Sequence, residues 1–359
     1  MALLLTYLGK GGVGRTTVAI AAARHYAQQG KRVLFASSDA SPAVKIALGA
    51  AIGSEPTAIA PNLEAVQFLT TVLLEQAWEE LKQLEARYIR TPFFKNVYGQ
   101  ELGILPGMDT ALALNALRVY SRQYEVVVYD SPSSPELLRM MGTPEVVSWY
   151  VRRFRQVFAD SDLAKNVMPL VQPILPMVLD VAWAADNFAM PTNQLNELLE
   201  QGKATLSDPQ RTIAYLVTTA DQTAIATAQY LWGSAQQVGL TVGGVFARGT
   251  VGNAFDPLPL YLLPEVASSE AIPATIAPLV PEVSQALQVP SPIRIDAAAK
   301  KVYLFLPTFD KKQVKLTQYG PEITIEAGDQ RRNIFLPPEL SGLPVTGAKF
   351  QEGYLIISF

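Results

Sequence analysis

A glycine-rich segment near the start of the chain has the spacing of a phosphate-binding loop. Residues 9–16 read Gly-Lys-Gly-Gly-Val-Gly-Arg-Thr and lie between an apolar run, residues 3–8, and a helix-like segment, residues 16–29. Glycines let a backbone turn tightly and direct its N–H groups inward, and the start of a helix adds positive dipole character. The order of strand, loop and helix favours this interpretation over a simple glycine turn. It predicts phosphate contacts from Gly9, Lys10, Gly11, Gly12, Val13, Gly14, Arg15, Thr16 and Thr17.

Two basic residues of this loop stand in unusual places. Arg15 occupies the position where phosphate loops usually carry the lysine that reaches the β- and γ-phosphates. Arginine keeps the positive charge and can grip phosphate through two parallel hydrogen bonds, but it is bulkier than lysine. Lys10 lies too early in the loop to replace that lysine.

Aspartates follow two later apolar runs. Asp39 comes shortly after residues 33–36, and Asp130 ends residues 126–130. Because the carboxyl ends of parallel strands form the ligand-binding edge of an open α/β sheet, both carboxylates are expected beside the loop. After a phosphate loop, an aspartate at a strand end is typical of a magnesium site. We expect Asp130 to hold Mg²⁺ through water and the Thr16 hydroxyl to ligate it directly.

The wider pattern predicts an α/β fold with a doubly wound, mostly parallel sheet, because apolar strand-like runs alternate with helical segments. Residues 1–293 are interpreted as this phosphate-loop domain, ending in a proline-rich connector over residues 264–293. From residue 294 onward the chain shows short alternating runs broken by turn residues. This texture predicts a small antiparallel β-sandwich over residues 294–359.

Residues 145–205 interrupt the alternation of strands and helices. Tyr150 belongs to an apolar stripe at helical spacing, Arg152 lies on the opposite face, and many methionines, aromatics and prolines follow. One interpretation is that these side chains pack on the core. The other is a helical insertion that forms an adaptable groove for apolar protein segments. The sequence leaves both open.

Composition excludes several classes of function. The chain has 359 residues, of which 49% are hydrophobic and 17% charged, and its net charge is −3. This charge gives no electrostatic reason to bind nucleic acid. With no cysteine and one histidine, the chain has no thiolate or histidine cluster for zinc. No signal peptide is visible, and residues 167–185 are too interrupted by proline and polar residues for a membrane span, so we expect a cytoplasmic protein.

The loop also carries a family resemblance. Lys10 in Lys-Gly-Gly-Val-Gly-x-Thr-Thr resembles the deviant Walker A motif of dimeric ATPases, and further segments resemble the family of the arsenite-pump subunit and the tail-anchored-protein-targeting ATPases. Residues 38–43 are similar to its switch I, and residues 130–139 to its switch II with Glu136 where the family often has histidine. Residues 105–112 resemble its Pro-Gly-x-x-Glu-Ala-Leu segment, although Thr110 replaces the acidic residue.

The resemblance implies a homodimer that hydrolyses ATP with Mg²⁺. It implies that Lys10 crosses to the partner's nucleotide, that Asp39 positions the attacking water, and that Arg248 lies about where the family has an asparagine that reads adenine. It also implies hydrophobic clients similar to tail-anchored proteins, so that the chain meets membranes only through clients. The zinc site that bridges the eukaryotic dimer is impossible here, because the chain has no cysteine.

The C-terminal segment has a resemblance of its own. Residues 306–310, 335–338 and 348–355 look like parts of the α-crystallin domain of small heat-shock proteins. Together with the ATPase-like part, this domain is similar to the branch of targeting-factor-like ATPases found in cyanobacteria and plastids.

Two alternatives stay open at this point. A partition or division-site ATPase would act on DNA or a membrane surface, and would need a basic surface or a terminal amphipathic basic helix. A nucleotide-gated scaffold with little turnover is favoured by Arg15 in place of lysine.

Overall fold

The computed structural model describes residues 2–88, 94–159, 189–264 and 275–359. At its centre lies an eight-stranded sheet whose order is β3-β4-β2-β5-β1-β6-β7-β8. All neighbouring strands are parallel except the β3–β4 pair, so the expected mostly parallel α/β sheet is confirmed. Its strands are β1 (Leu3–Leu8), β2 (Val33–Ser37), β3 (Thr57–Ala60), β4 (Leu63–Gln67), β5 (Val126–Asp130), β6 (Thr212–Thr219), β7 (Val242–Arg248) and β8 (Leu260–Leu262).

Helices cover both faces of this sheet. Along β1, Leu5 and Tyr7 pack into one buried layer and Leu8 packs into the other. Strands buried on both faces need apolar residues at nearly every position, which explains the uninterrupted apolar runs of the sequence. The helices are α1 (Arg15–Gln28), α2 (Ala43–Leu48), α3 (Thr70–Tyr88), α4 (Met108–Tyr120), α5 (Ser134–Ala159), α6 (Ala189–Ser207), α7 (Gln222–Gln237) and the short α8 (Val283–Ala286).

Helix α5 crosses the boundary that the sequence predicts near residue 145. It begins at Ser134, directly after β5, and continues through Pro144 to Ala159. Tyr150 is 53% exposed, so it does not pack in the core. The rest of the predicted apolar stripe and residues 160–188 lie outside the described side chains. Among the described residues, no helix is both long and apolar enough to cross a membrane.

The C-terminal segment forms two antiparallel sheets, as the sequence predicts. One has the order β14-β15-β10-β9 and the other β11-β12-β13. Their facing side chains form a separate apolar core that includes Val302, Leu304, Ile323, Ile325 and Ile357. The strands are β9 (Ile293–Asp296), β10 (Lys301–Phe305), β11 (Val314–Tyr319), β12 (Glu322–Ala327), β13 (Gln330–Phe335), β14 (Gly347–Gln351) and β15 (Tyr354–Ser358).

This sandwich packs closely against helix α7. The Trp232 ring contacts the Phe305 ring edge-on, with centroids 5.7 Å apart. At Gly233 a Cβ would lie 2.6 Å from Thr308 Oγ1, so only glycine lets the two parts approach this closely. The connector is docked as well, because Ile276, Val280 and Ala286 are buried in the layer that contains α1. Residues 265–274 of the connector lie outside the described part.

Candidate functional site

The glycine loop between β1 and α1 has the geometry of an anion site. Gly12 and Gly14 have φ angles of 83° and 99°, which favour glycine strongly. At Gly9 a Cβ would lie 2.2 Å from the Val217 carbonyl oxygen. No side chain caps the start of α1, so its first N–H groups and the positive end of the helix dipole can serve an anion.

Thr16 and Asp130 meet at the mouth of this loop. The Thr16 hydroxyl donates to Asp130 Oδ2 over 3.0 Å, and the Ser37 hydroxyl reaches the same oxygen over 3.4 Å. Asp130 is only 4% exposed. Burial raises the pKa of its carboxyl to about 6, and the Thr16 hydrogen bond and the Arg15 guanidinium only partly offset this effect. The sheet creates the cluster because β5 lies next to both β1 and β2.

These oxygen atoms fit a magnesium ion. Mg²⁺ prefers carboxylate and hydroxyl oxygens and keeps several water molecules, and the site presents one of each kind within hydrogen-bonding distance. A divalent cation would also favour the ionised form of this buried carboxylate, whose pKa burial raises. That Thr16 and Asp130 hold the ion remains a prediction.

Asp39 lies beside this cluster in a loop that several hydrogen bonds hold. Its backbone N–H donates to Ser37 Oγ over 3.2 Å, and its Oδ1 accepts from the Ser41 N–H over 2.8 Å. Gln67, which is 2% exposed, donates to the carbonyl oxygens of Asp39 and Ser41 over 2.6 and 3.2 Å. The charge of Asp39 also raises the pKa of Asp130, as expected of a carboxylate close to it. The loop therefore holds the Asp39 carboxylate at the site.

Arg15 points toward the segment after β5. Its guanidinium donates to the carbonyl oxygens of Ser131 and Pro132 over 3.1 and 3.0 Å, and to Ser134 Oγ over 3.3 Å. Burial lowers the pKa of this guanidinium, and the nearby Asp130 partly opposes the effect. In this arrangement Arg15 ties α1 to residues 131–134. The sequence could not indicate this direction, and a phosphate contact from Arg15 stays a prediction.

Lys10 points toward the start of α7. Its Nζ donates to Thr223 Oγ1 over 2.8 Å and lies 3.9 Å from Asp221 Oδ1. Asp221 caps α7 by accepting from the Ala224 N–H. Both charged side chains are about half exposed, at 49% and 57%, so the ion pair contributes little to stability. Sequence reasoning missed Asp221 and Thr223, although an aspartate before a helical segment is a typical N-cap signal.

Ser134 is a second residue that sequence reasoning missed. Its Oγ accepts from the Gly9 N–H over 3.0 Å and lies 3.1 Å from the Gly9 carbonyl oxygen. It thereby joins the start of α5 to the glycine loop, and nothing in the sequence pattern distinguishes it from an ordinary helix-start serine. Of the other predicted residues, Val13 is buried and Thr17 half-buried on α1, while Arg248 is exposed at the end of β7. Among the described residues, no hydrogen bond or ion pair joins the Arg248 side chain to the Thr16–Asp130 cluster.

The raised pKa of Asp130 leads to a prediction about stability. Between the ordinary pKa of 3.8 and the folded value of about 6, the unfolded carboxyl ionises while the folded one stays protonated. Asp130 therefore lowers the free energy of unfolding as the pH rises through this window, by on the order of 3 kcal/mol in full. Asp130→Asn is expected to be more stable than wild type, and its advantage should grow by about 1 kcal/mol from about pH 5 to about pH 7.5.

Urea unfolding in EDTA at both pH values measures this difference. Added Mg²⁺ should reduce it at neutral pH, because the ion favours the ionised carboxylate of wild type. A stability difference that does not change with pH would show that the Asp130 carboxyl has an ordinary pKa.

Comparison with known proteins matches both parts of the chain. Residues 3–251 match the ArsA ATPase family, described as anion-transporting ATPase, and residues 298–359 match the HSP20-like domain found in ArsA. The second match confirms the small heat-shock resemblance of the tail.

Individual relatives that match most of this chain, and others that match part of it, are also named as ATPases. The "Putative arsenical pump-driving ATPase" of Chlorobaculum tepidum is 25% identical over 99% of this chain and 95% of its own length. A similarly named protein of Aquifex aeolicus is 22% identical over 99% of each chain. The ATPase GET3 of Malassezia globosa is 25% identical over 59% of this chain and 62% of its own. With a family match over more than half of its length, this chain belongs to the ArsA ATPase family and is an ATPase.

Proposed function

We propose that this chain is a homodimeric, Mg²⁺-dependent ATPase that uses ATP binding and hydrolysis to bind and release hydrophobic protein segments. The observation that supports it most is the Thr16–Asp130 contact of 3.0 Å at the mouth of an uncapped glycine loop. A cytoplasmic location belongs to the proposal, because the substrate is an intracellular nucleotide.

In the proposed reaction, water attacks the γ-phosphorus and the bond to the β-phosphate oxygen breaks. Mg²⁺ held by Thr16 and Asp130 would neutralise charge on the β- and γ-phosphates. The loop N–H groups bind the phosphates, and Asp39 orients the attacking water through its carboxylate. Asp39 suits this role because Gln67 and Ser41 hold its backbone and one carboxylate oxygen in place. Such positioning and electrostatic stabilisation account for most of phosphoryl-transfer catalysis.

The proposal of a dimer depends on Lys10. Its exposed contacts with Thr223 and Asp221 can be exchanged at little cost for phosphate oxygens of a partner subunit's nucleotide. We propose that this exchange accompanies closure of two subunits around ATP. Closure then brings positive charge to the phosphate that is transferred, at the moment when its charge is redistributed.

Helix α5 links this site to the proposed client surface. The helix begins with Ser134 at the glycine loop and extends 26 residues, to Ala159. Val146 and Tyr150 on its distal half are 41% and 53% exposed. Large exposed apolar side chains near one another are typical of surfaces that bind apolar partners. We propose that this half of α5, together with α6, contacts apolar client segments.

The arsenical pump-driving role in the names of some relatives does not suit the composition of this chain. Trivalent arsenic binds through thiolate sulfur, and this chain has no cysteine. Protein segments recognised by apolar contacts require no such ligand.

A binding experiment tests the client part of the proposal. The probe is a fluorescent peptide with an apolar helix of about 20 residues, the length that spans a bilayer. Its affinity should differ by at least about fivefold between ADP and a non-hydrolysable ATP analogue with Mg²⁺, the lower end of typical coupling between two sites. Val146→Asp should weaken binding, because it introduces a charge into the apolar surface.

The matched control is Val119→Asp on α4, where the side chain is similarly exposed, at 38%. It should leave peptide binding unchanged. Equal peptide affinity with both nucleotides, or equal effects of the two aspartates, would contradict client binding at α5.

A further inference from the structure

The C-terminal sandwich contacts helix α5 on both sides of Pro144. Before the proline, Arg139 pairs with Asp329 of the β12–β13 turn over 2.5 Å. After the proline, Glu322 of β12 accepts from Trp149 Nε1 over 3.0 Å and from Arg152 Nε over 2.8 Å. We call these two contact points, Asp329 with Arg139 and Glu322 with Trp149 and Arg152, the strap.

Pro144 is the weak point of this helix. Proline has no N–H to donate within the helix, and its ring crowds the carbonyl group of the residue four positions earlier. Helices bend preferentially at such positions. At Gly202 of α6 a Cβ would lie 3.1 Å from the Pro144 ring, so α6 supports the proline from one side. The strap joins the two halves of α5 from the sandwich.

The first half of α5 is part of the nucleotide site. Its first residue, Ser134, bonds to Gly9, and Arg15 bonds to the carbonyl groups just before it. Any rearrangement of residues 131–134 on ATP binding therefore moves the start of α5. Whether that movement ends at Pro144 or reaches the distal half depends on what holds the two halves together.

The contact of Glu322 with α5 is the stronger of the two contact points. Glu322 is 8% exposed, and both of its carboxylate oxygens accept hydrogen bonds from α5. The Arg152 guanidinium also lies over the Phe335 ring, 5.3 Å from its centroid. Removing either donor would leave a buried carboxylate incompletely paired, which is strongly unfavourable. The Asp329–Arg139 pair is exposed and weaker.

The sandwich has a separate anchor on helix α7. Arg332 of β13 is buried and donates to the Gln236 carbonyl oxygen at the end of α7 over 3.4 Å. Gln237 donates in turn to the Ile325 carbonyl oxygen over 2.7 Å. The start of α7 carries the partners of Lys10. The sandwich therefore contacts both α5 and α7, and both of these helices begin at the nucleotide site.

We infer that the C-terminal sandwich transmits the nucleotide state across Pro144, with Glu322 as a positioning residue for the segment after β5. The nucleotide dependence rests on the proposed function. In this view the sandwich makes α5 move as one body, so that the glycine loop and the distal apolar surface respond together.

Hydrogen exchange on the full-length protein tests the inference. A non-hydrolysable ATP analogue with Mg²⁺ should slow exchange at residues 134–143 and also at residues 322–335 of wild type. In Glu322→Ala and in Trp149→Phe, the response of residues 322–335 should fall at least about fivefold, the lower end of typical coupling between two sites. Trp149→Phe keeps an aromatic ring and removes the donor to Glu322, so it serves even if Glu322→Ala folds poorly.

The matched control is Glu326→Ala, on the same strand. Glu326 pairs with Lys315 and Arg331 inside the sandwich, and the change should leave the response as in wild type. The two strap variants should also change kcat about fivefold at unchanged KM for ATP. Loss of a contact that only stabilises the fold would not change kcat while leaving the KM for ATP unchanged.

The results separate this inference from the ATPase proposal. Protection of residues 11–18 reports nucleotide binding itself, whereas protection of residues 322–335 reports transmission. Without nucleotide, exchange at residues 140–152 should be at least about threefold faster in Glu322→Ala than in Glu326→Ala, because local opening is less restrained. Identical exchange in the strap variants and Glu326→Ala, or no response of residues 322–335 in wild type, would overturn the inference.

Discussion

Asp39→Asn is expected to lower kcat for ATP hydrolysis at least ~100-fold, the scale of a lost catalytic group, while ATP binding and folding stay near wild type. Asparagine has the shape of aspartate, and its Oδ1 can still accept from the Ser41 N–H. The loop that Gln67 holds therefore survives. What is lost is the charge that orients the attacking water.

Phosphate release measures turnover in this variant, and calorimetry measures its ATP affinity. Asp208→Asn is a matched control, because Asp208 accepts from the N–H two residues later in the same way, over 2.9 Å, on the turn between α6 and β6. It should turn over like wild type. If Asp39→Asn also hydrolyses ATP at a normal rate, Asp39 has no part in positioning the water.

Lys10→Ala is expected to keep ATP affinity within about tenfold, or ~1.4 kcal/mol, and to lose most turnover. In the proposed mechanism the ammonium group acts on the partner's nucleotide, after ATP has been captured by the loop N–H groups. Stabilisation of this kind is commonly worth on the order of 3 kcal/mol in the transition state. The loss should be accompanied by failure of ATP-dependent dimer closure.

Lys45→Ala is a suitable control for this change, since Lys45 is an exposed cation on α2. Sedimentation with the ATP analogue reports closure, and phosphate release reports turnover. Normal hydrolysis by Lys10→Ala as a monomer would exclude the trans role of Lys10. Loss of ATP affinity by several hundredfold would assign Lys10 to capture of the subunit's own nucleotide.

Much of the fold follows from local pattern. Val126, Val127 and Val128 are all buried, which matches the uninterrupted apolar run expected of an inner parallel strand. In the sandwich, β12 shows the alternation of apolar and polar residues that predicts a half-buried strand. The edge strand β14 lacks this signal, because most of its residues are exposed and no apolar alternation marks it.

The site could be predicted in part. The glycine spacing and the aspartate at a strand end predict that Thr16 and Asp130 lie close together, because parallel strands bring their carboxyl ends to one edge of the sheet. In the structure the two side chains form a hydrogen bond. The direction of the Arg15 side chain could not be predicted, since a sequence pattern specifies charge and reach but not which acceptors are nearer. The acceptors are backbone carbonyl groups, which every residue has.

Contacts between residues that are far apart along the chain could not be predicted from the sequence. Trp149 and Glu322 are 173 residues apart along the chain, and neither lies in a recognisable motif. The continuity of α5 through Pro144 was missed for a related reason. A proline usually marks a helix boundary, and the neighbours that support it, α6 and the sandwich, are assembled only by the tertiary fold.

Mixing of two inactive variants tests the central claim most directly. In a dimer of one Lys10→Ala subunit and one Asp39→Asn subunit, the first subunit's nucleotide keeps its own Asp39 and receives Lys10 from the partner. Random pairing puts about half of the chains into mixed dimers with one complete site of two, so an equal mixture should recover about one quarter of wild-type phosphate release. No recovery, in a mixture shown by sedimentation to contain mixed dimers, would contradict an ATPase site completed by the partner's Lys10.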